Sequence, residues 1–351
     1  MQKQFLISMP LSELQAWLGE NGFPKYRAVQ ILEGLFKGKN LAEINIDAPL
    51  KQKLAETFLV NATKIEKVFE SKTSTTKKFL FKLFDGNLVE GVFMEYKHGN
   101  SFCVSTQVGC KMGCAFCASG KNGLERNLNA GEMTEFLVLT ENKLNKKINS
   151  LVLMGSGEPL DNFDEVKKFL NIVCPPTKNN YGFNISNRNI SLSTCGIVPK
   201  IYELINIPQK VTLSISLHAT TDENRKKIMK IANAYKIKDV LNAAKAYYKA
   251  TGRKIEIEYT LIKGINNTLA DVDRLAFLVS GFDAHVNIIN LNATGTNLKP
   301  TTKAETYSFV SALTKKGVNA TVRRILGDDV GGACGQLRGK IINQNKQTEG
   351  D

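Results

Sequence analysis

Short apolar runs alternate with helical patterns along most of the chain from residue 101 onward. The runs are rich in β-branched side chains, as buried strands are, and lie at 102–108, 151–154, 190–194, 211–217, 255–262, 286–289 and 320–325. Helical periodicity fills most of the intervals between them, at 132–144, 162–173, 223–250, 268–280 and 302–316. This alternation predicts an α/β fold with a parallel sheet or a partial barrel.

Several polar residues come directly after these predicted strands. Gly157 and Glu158 follow the second run, Ser193 ends the third, His218 follows the fourth and Asn292 follows the sixth. Binding and catalytic groups gather at the carboxyl ends of strands in both parallel sheets and barrels. The sequence therefore predicts a functional site at this edge of the sheet.

The first 60 residues have a helical pattern instead. Ser12 and Gln15 have the spacing of a capping box and predict the start of the first of three helices. A β-rich part follows, whose last segment contains Glu90 and is preceded by a predicted hairpin turn at Asp85-Gly86. Its three segments lie at 62–70, 78–84 and 88–95.

The composition indicates a globular protein. Hydrophobic residues make up 42% and charged residues 23% of the 351 positions, which argues against disorder. No apolar run is long enough to cross a bilayer and no signal-peptide pattern opens the chain, so we expect a cytoplasmic protein with no membrane partner. The seven cysteines, an odd number, favour reduced thiols over a secreted disulfide framework.

The net charge points to a polyanionic partner. Lys and Arg outnumber Asp and Glu by 47 to 33, which gives a charge of +14 and an isoelectric point near 9.3. Each phosphate that a basic surface neutralises releases counterions, so such a surface favours nucleic acid. A proteome rich in lysine is the alternative explanation of the same excess.

Three of the cysteines lie in one short segment. Cys110, Cys114 and Cys117 have the spacing Cys-x3-Cys-x2-Cys, and closely spaced thiolates bind an iron–sulfur cluster or zinc. A structural zinc needs a fourth ligand, and no second Cys-x2-Cys or histidine pair supplies one. The spacing therefore favours a [4Fe–4S] cluster with one open iron. The alternative is a zinc-stabilised RNA-binding protein without catalytic activity.

The cysteine spacing matches the motif of the radical S-adenosylmethionine enzymes, and residues 154–159 resemble their glycine-rich segment. Further features resemble the RlmN/Cfr family of radical S-adenosylmethionine RNA adenine methyltransferases. They are Cys103, seven residues before the cysteine motif, the segment 214–218, and the segment 327–337 with its Ala-Cys-Gly-Gln-Leu run. The resemblance covers nearly the whole chain.

This resemblance implies a partial (βα)6 radical-SAM barrel with a small helical N-terminal domain and a short β-rich extension. The implied regions are an RNA-binding helical domain over 1–60, a β-rich connecting segment over 61–97, the barrel over 98–326, and a catalytic-cysteine loop with the tail over 327–351. The implied cofactors are a [4Fe–4S] cluster, held by the three cysteines of the motif, and S-adenosyl-L-methionine.

The resemblance also implies roles for single residues. Cys334 would take a methyl group from S-adenosylmethionine and carry it to adenine, Cys103 would resolve the resulting protein–RNA adduct, and Glu90 would accept a proton. The disulfide left between the two cysteines must then be reduced. Cofactor contacts are implied for Gly157, Glu158, Ser193, Ser216, Leu217, His218 and Asn292. Cys174 and Cys195 match no functional position and are read as structural.

The implied reaction is methylation of C2 of an adenosine in 23S rRNA and of an adenosine in the tRNA anticodon loop. Methylation of C8, as in Cfr, is the alternative; residues 157–159 and 327–329 look more similar to the C2 branch. The resemblance further implies a reducing partner such as flavodoxin, and a monomer. Departures from the family pattern lie at Ser156, Leu291, Ala293 and Gly331.

Overall fold

The computed structural model of the protein describes residues 3–292, 294, 296–324 and 326–337. Three features predicted above fall outside these residues. They are the family departure at Ala293, the end of the predicted strand over 320–325, and the tail from residue 338.

The N-terminal part of the chain is helical, as predicted, with helices α1 (Leu11–Glu20), α2 (Arg27–Phe36) and α3 (Ala48–Thr57). Their inward-facing leucines and isoleucines share one apolar cluster, which also takes in Phe5 and Val138. The predicted capping box is wrong: α1 begins after Pro10, so Ser12 lies inside the helix and caps nothing. A proline just before a helix fixes the chain direction there without a side-chain cap.

The β-rich part that follows belongs to the same sheet as the barrel. Its strands, which are β1 (Lys64–Glu70), β2 (Lys77–Lys82) and β3 (Leu88–Tyr96), pair antiparallel in sequence order. Strand β3 then pairs antiparallel with β4 (Gly99–Cys103). The predicted turn at Asp85-Gly86 connects β2 to β3, with Gly86 at a φ of +85°.

The predicted strand over 102–108 is interrupted in the structure. Strand β4 ends at Cys103, and β5 (Gln107–Gly109) starts a separate hairpin with β6 (Leu124–Asn127). Between the two strands the backbone turns toward the glycine-rich segment, where Thr106 N donates to the Ser156 carbonyl oxygen at 2.8 Å. The interruption makes room for the long loop that carries the three clustered cysteines.

Seven parallel strands form the barrel part of the sheet. Strand β4 is followed in the sheet by β7 (Ser150–Leu153), β8 (Ile190–Thr194), β9 (Thr212–Ser216), β10 (Ile255–Leu261), β11 (Ala284–Asn290) and β12 (Ala320–Val322). In the part of the chain that the structure describes, edge strands β1 and β12 do not pair with each other, so the barrel is open. The predicted α/β partial barrel is confirmed.

Helices cross from each barrel strand to the next. They are α4 (Ala130–Leu144), α5 (Phe163–Val173), α6 (Val198–Ile205), α7 (Asp222–Ile228), α8 (Ile237–Thr251), α9 (Leu269–Leu278) and α10 (Lys303–Lys315). The helix predicted over 223–250 is two helices, because Met229 is extended and a short 3-10 turn, Lys230–Asn233, follows it. The chain therefore contains six βα units and a seventh parallel strand. No helix among the described residues is long and apolar enough to span a membrane.

Candidate active site

Two neighbouring cavities lie at the carboxyl ends of the parallel strands. The cysteine-loop cavity has a volume of about 910 Å³ and is lined by the clustered cysteines and by residues at or just beyond the ends of β7 to β10. The thiol-pair cavity has a volume of about 750 Å³ and is lined by Cys103, Cys334 and residues of β3. Both are lined by Met154, Ile289, Asn290, Asn292, Arg323 and Cys334.

Cys110, Cys114 and Cys117 lie on the loop that joins β5 to β6, and all three line the cysteine-loop cavity. Hydrogen bonds tie this loop to its own hairpin and to the barrel. Cys110 N donates to the Gly123 carbonyl oxygen at 2.9 Å, and Ala115 N donates to the carbonyl oxygen of Ile228, at the end of α7, at 2.9 Å. The fold therefore brings the three predicted cluster ligands to one cavity wall.

The electrostatics of this loop suit an iron–sulfur cluster. Burial raises the pKa of Cys110 to about 12 and raises that of Cys114 well above its ordinary value, and Cys117 and Cys110 add to the rise at Cys114. Thiolates held this close repel one another, and bound iron ions offset that repulsion. No three His, Cys, Asp or Glu side chains of the described residues surround a single metal position. A [4Fe–4S] cluster does not require three ligands around a single metal position, since each cysteine binds a different iron.

A buried cation lies behind the same cavity. Arg225 of α7 is 0% exposed, and its guanidinium donates to the carbonyl oxygens of Cys195 at 2.7 Å, Ser216 at 3.1 Å and Leu217 at 3.1 Å. Burial lowers the pKa of Arg225, while the Cys195 and Cys114 thiols act to raise it. A buried positive charge is stable only near negative charge, and a cluster held by three thiolates would supply it.

The glycine-rich segment after β7 packs closely against the chain that follows β4. A Cβ atom on Gly155 would lie 2.6 Å from Ser105 N, and one on Gly157 would lie 2.7 Å from the Gln107 Cβ atom. Gly157 also has a φ of +110°, in the region that favours glycine. Glycine is therefore required at both positions, and the turn delivers Glu158 to the cavity.

Glu158 is a buried carboxylate with backbone partners. Its Oε2 atom accepts a hydrogen bond from Cys195 N at 2.7 Å, and its Oε1 atom accepts one from Leu160 N at 3.0 Å. Burial nevertheless raises the pKa of Glu158 above its ordinary value. A ligand ammonium group in the cavity would pair with this carboxylate and favour its ionised form.

Neutral polar side chains also line the cysteine-loop cavity. The Ser193 and Ser216 hydroxyl oxygens lie 3.4 Å apart on adjacent strands. His218 follows β9 at a φ of +55°, and its Nδ1 atom accepts from Thr260 N at 2.9 Å. Burial, assisted by the charge of Arg225, lowers the pKa of His218 to about 3. The ring is therefore neutral with its proton on Nε2, and it can donate one hydrogen bond to a ligand.

Two of the predicted cofactor contacts differ in their position. Asn292 lines both cavities, and its Nδ2 atom donates to the Cys334 carbonyl oxygen at 2.9 Å. Leu217 is 0% exposed and lines neither cavity in the described structure; its N–H group donates to the Glu258 carbonyl oxygen at 3.1 Å. Asn292 can contact a ligand directly, whereas Leu217 holds the backbone between Ser216 and His218.

The structure brings together the two cysteines that are 231 positions apart in the sequence. Cys103 at the end of β4 and Cys334 of the C-terminal loop line the thiol-pair cavity, and both are free thiols. Burial raises the pKa of Cys103 to about 12, and the charge of Cys334 acts in the same direction. Cys334 is the more exposed thiol and also lines the cysteine-loop cavity. It is therefore the cysteine that faces both spaces.

The loop that carries Cys334 is attached to the cysteine loop. Ala118 N, next to Cys117, donates to the Gly335 carbonyl oxygen at 2.7 Å, and Ser119 Oγ donates to the Leu337 carbonyl oxygen at 3.4 Å. Farther out, Asp329 accepts hydrogen bonds from Ser71 Oγ at 2.8 Å and from Lys72 N at 2.7 Å. Contacts at both ends thus hold Cys334 over the shared edge of the cavities.

Glu90 is placed differently from the other predicted residues. It is 5% exposed on β3, and its carboxylate forms an ion pair with the Lys78 ammonium group at 2.9 Å. In the described part of the chain it lines neither cavity, although Val92, two positions farther along the strand, lines the thiol-pair cavity. The structure therefore does not bring Glu90 into the same wall as the cysteines.

Sequence reasoning also missed residues that the structure brings to the site. Cys195, which matched no functional position, lines the cysteine-loop cavity, and its pKa is raised by burial and by Glu158. Arg323 lines both cavities, as does Met154, the first residue of the glycine-rich segment that the family resemblance had marked. Cys195 comes directly after the end of β8, a position that could have marked it. Arg225 and Arg323 had no sequence signal, since single basic residues are common in this chain.

Comparisons with known proteins agree with this site. A family profile described as the radical SAM superfamily matches residues 104–278. The chain is 45% identical over 349 residues to "Probable dual-specificity RNA methyltransferase RlmN" of Clostridium botulinum (strain Eklund 17B / Type B), covering 99% of each chain. A protein of the same name from Clostridium perfringens (strain SM101 / Type A) is 46% identical over 341 residues, which is 96% of this chain and 97% of that protein.

A solved structure has nearly the same fold. The crystal structure of a radical SAM methyltransferase from Sphaerobacter thermophilus matches with a TM-score of 0.91 and 33% identity, covering 96% of this chain and 100% of that one. These similarities decide between the two metal sites that the cysteine spacing left open, and they favour the iron–sulfur cluster. The chain belongs to the RlmN family of radical S-adenosylmethionine RNA methyltransferases, enzymes that use a [4Fe–4S] cluster and S-adenosylmethionine to methylate RNA.

Proposed function

We propose that this enzyme methylates C2 of an adenosine in 23S rRNA and of an adenosine in the tRNA anticodon loop, through an S-methylated Cys334. The observation that carries the proposal is the position of Cys334 at the edge shared by the two cavities. The name of its relatives, dual-specificity RNA methyltransferase, supports two RNA substrates. Both RNAs are found in the cytoplasm, where we expect the enzyme to act.

The chemistry of adenine explains why a carrier thiol is needed. C2 lies between two ring nitrogens and is electron-poor, so it does not attack an ordinary sulfonium methyl group. A thiolate does, and a cysteine can therefore accept the methyl group first. The methyl carbon must afterwards be activated before it can bond to the ring. A protein with one thiol at a cofactor cavity and a second thiol nearby has the groups for such a two-stage transfer.

The residues present fit the two cofactors of the family. Cys110, Cys114 and Cys117 would hold the cluster, and Glu158 would pair with the amino group of S-adenosylmethionine. When bound, the cluster and S-adenosylmethionine would supply one-electron chemistry. They would accept the hydrogen atom that the S-methyl group loses, and the one electron that is lost once the carbon has bonded to adenine. Further cofactor contacts are proposed for Gly157, Ser193, Ser216, His218 and Asn292, with Leu217 positioning its neighbours.

Cys334 and Cys103 act in sequence in this proposal. The Cys334 thiolate would attack the methyl carbon of S-adenosylmethionine. The new C–S bond forms as the bond from this carbon to the sulfonium sulfur breaks, and S-adenosylhomocysteine leaves with the electron pair. After the activated carbon has bonded to C2, the ring loses its C2 hydrogen as a proton. The Cys103 thiolate then attacks the Cys334 sulfur; the S–S bond forms as the C–S bond breaks. The carbon keeps the electron pair and takes a proton, which gives the methyl group. A thiol reductant must reduce the disulfide before the next turnover.

Glu90 is proposed as the acceptor of the C2 proton. Because it is buried in an ion pair with Lys78 and lines neither cavity in the described structure, the proton would have to reach it through another group. Ser105 lies next to it, since its hydroxyl donates to the Glu90 carbonyl oxygen at 2.6 Å. A Glu90→Gln variant should slow methylation without changing the iron content, and an unchanged rate would exclude the role.

The remaining parts of the proposal concern partners. We assign RNA docking to the helical residues 1–60, where the lysines Lys25, Lys37 and Lys39 are exposed and could contact phosphates. Residues 61–97 connect this region to the barrel over 98–326, and the segment from 327 carries Cys334. The reaction needs a one-electron donor such as flavodoxin, and we propose that the enzyme acts as a monomer.

The test uses the anaerobically reconstituted enzyme with ribosomal RNA or tRNA, S-adenosylmethionine and a chemical reductant. Chromatography with mass spectrometry should find 2-methyladenosine in both RNAs. A product that is only 8-methyladenosine would replace the C2 assignment by the Cfr-type reaction. Cys103→Ala should accumulate a covalent RNA–protein adduct, and Cys334→Ala should give neither product nor adduct. Wild-type product levels from Cys103→Ala without an adduct would refute the resolving role.

A further inference from the structure

Arg323 is the only charged side chain of the described residues that lines both cavities. It comes directly after β12, and its N–H group donates to the Ile288 carbonyl oxygen at 2.8 Å, which extends the pairing of β12 with β11. Its side chain is 28% exposed, so most of it is withdrawn from water. The fold therefore fixes one guanidinium group at the place where the two cavities meet.

The guanidinium has one acidic partner and one sulfur partner. Its Nη1 atom donates to Glu258 Oε2 at 3.0 Å, and its Nη2 atom lies 3.3 Å from the Met154 sulfur. Asn287 Nδ2 donates to the other oxygen of Glu258 at 3.1 Å and holds that carboxylate in place. These contacts orient the guanidinium and leave donors on it for a further anion, because a guanidinium carries five N–H groups.

The two thiols of the thiol-pair cavity are the neighbours that could become that anion. The charge of Cys334 is the largest influence on Arg323, whose pKa is raised, and Cys103 acts in the same sense. In return, the charge of Arg323 acts to lower the pKa of Cys103, against the effect of burial. The titratable and charged groups that line this cavity with Cys103 are Tyr96 from β3, Arg323, Arg324 and Cys334.

We propose that Arg323 is a positioning residue for the thiol pair, which stabilises the Cys103 thiolate when it attacks the methylene-bearing Cys334. This rests on the resolving role proposed above for Cys103. A buried thiol is a weak nucleophile because it stays protonated, and thiol exchange requires the thiolate. Arg323 meets this need without giving up a proton. Glu258 opposes the effect, since it competes for the same guanidinium.

The test measures Cys103 directly and needs no RNA. The reconstituted enzyme is treated anaerobically with iodoacetamide between pH 7 and 10, and peptide mass spectrometry gives the alkylation rate of Cys103. Arg323→Met should slow this rate about three- to tenfold. Loss of the positive charge should raise the apparent pKa of Cys103 by about one unit, which lowers the thiolate fraction about tenfold. A more basic thiolate is also a better nucleophile, and this offsets part of the loss. Arg323→Lys, which keeps the charge, should stay close to the wild type.

Two further variants separate charge from structure. Arg324→Met removes the same charge one residue away. Because the Arg324 side chain is exposed, water and salt screen its charge, and the Cys103 rate should change much less than in Arg323→Met. Glu258→Gln should raise the rate, since it frees the guanidinium from its carboxylate. If Arg323→Met does not fold, the faster alkylation expected of Glu258→Gln still tests the inference. Equal rates in the wild type, Arg323→Met and Glu258→Gln would overturn it.

The adduct assay separates this inference from the function on which it rests. With RNA and S-adenosylmethionine, Arg323→Met should accumulate part of the adduct that Cys103→Ala accumulates, and Arg323→Lys should accumulate little. If Arg323→Met slows alkylation but Cys103→Ala forms no adduct, the resolving role of Cys103 is overturned. If Cys103→Ala forms the adduct but Arg323→Met alkylates at the wild-type rate, the role of Arg323 is overturned.

Discussion

The two cavities of the active site differ in how their polar groups are held. In the cysteine-loop cavity the Glu158 carboxylate is bound by two backbone N–H groups, and His218 accepts a hydrogen bond from Thr260 N. In the thiol-pair cavity Cys103 and Cys334 are both free thiols, and Cys334 is exposed. The first cavity is built to bind, because its groups are fixed before a ligand arrives. The second has the groups for a thiol exchange, because its two cysteines line one cavity as free thiols.

The largest expected effect comes from removing one of the proposed cluster ligands. Cys114→Ala should reduce the iron content to background and abolish methylation, since two thiolates cannot hold the cluster in place of three. Iron analysis and visible absorption measure this. The matched control is Cys174→Ala: Cys174 donates to Asn187 Oδ1 at 3.0 Å, outside both cavities, and its loss should leave the iron content unchanged. Full iron content in Cys114→Ala would mean that the cluster is held elsewhere.

Removing Cys334, the proposed carrier thiol, should separate the two cavities functionally. Cys334→Ala should retain the iron and S-adenosylmethionine binding of the wild type while methylation falls below detection, because the cysteine-loop cavity keeps its other groups. Iron analysis, equilibrium dialysis and product chromatography measure the three properties. A Cys334→Ala enzyme that still methylates RNA would remove the second cavity from the account.

A smaller effect is expected at the binding carboxylate. Glu158→Gln removes the charge that would pair with a ligand ammonium group, and a hydrogen bond to a charged group contributes about 1.5–3 kcal/mol. The dissociation constant of S-adenosylmethionine should therefore rise about 10- to 100-fold. Equilibrium dialysis measures it, and Glu203→Gln, on the exposed side of α6, is the control with the same substitution. Equal affinity in both variants would exclude Glu158 from binding.

The smallest effect concerns pH and stability. The pKa of His218 is about 3 in the folded chain, below its ordinary 6.5, so the unfolded chain binds a proton first as the pH falls. This group therefore lowers the free energy of unfolding below pH 6.5, by about 1.4 kcal/mol at pH 5.5. Urea denaturation of the cluster-free chain at pH 7.5 and 5.5 measures the change.

His218→Asn should reduce that pH-dependent loss by about the same amount, since asparagine tolerates the positive φ of +55° and does not titrate. If His218→Asn keeps the wild-type difference between the two pH values, His218 is not held neutral in the fold.

Local patterns made the first cavity predictable. The spacing of Cys110, Cys114 and Cys117 is a property of one loop, and Gly157 with Glu158 follows a strand whose periodicity was clear. The α/β order of elements was predictable for the same reason. The boundaries of the elements were less predictable. Extended backbone at Met229 divides into two helices a stretch whose periodicity indicated one. Ser12 lies inside the helix that it was expected to cap.

The second cavity depends on contacts between distant segments, which periodicity does not contain. The position of Cys334 could be predicted only by family resemblance, and Arg323 was not predicted at all. The orientation of Glu90 toward Lys78 is decided by strand pairing, since the two lie on the adjacent strands β3 and β2. The backbone turn at His218 similarly decides that Leu217 is buried behind the wall of the cysteine-loop cavity rather than lining it.

The identity of the residue that carries the transferred carbon is the most direct test. The adduct formed by Cys103→Ala with RNA and S-adenosylmethionine is digested with protease and nuclease, and mass spectrometry locates the bound nucleoside. A methylene-linked adenosine on the peptide that contains Cys334 is the predicted result. A nucleoside bound to any residue other than Cys334 would contradict the account. Cys195 is the clearest such case, since it also lines the cysteine-loop cavity.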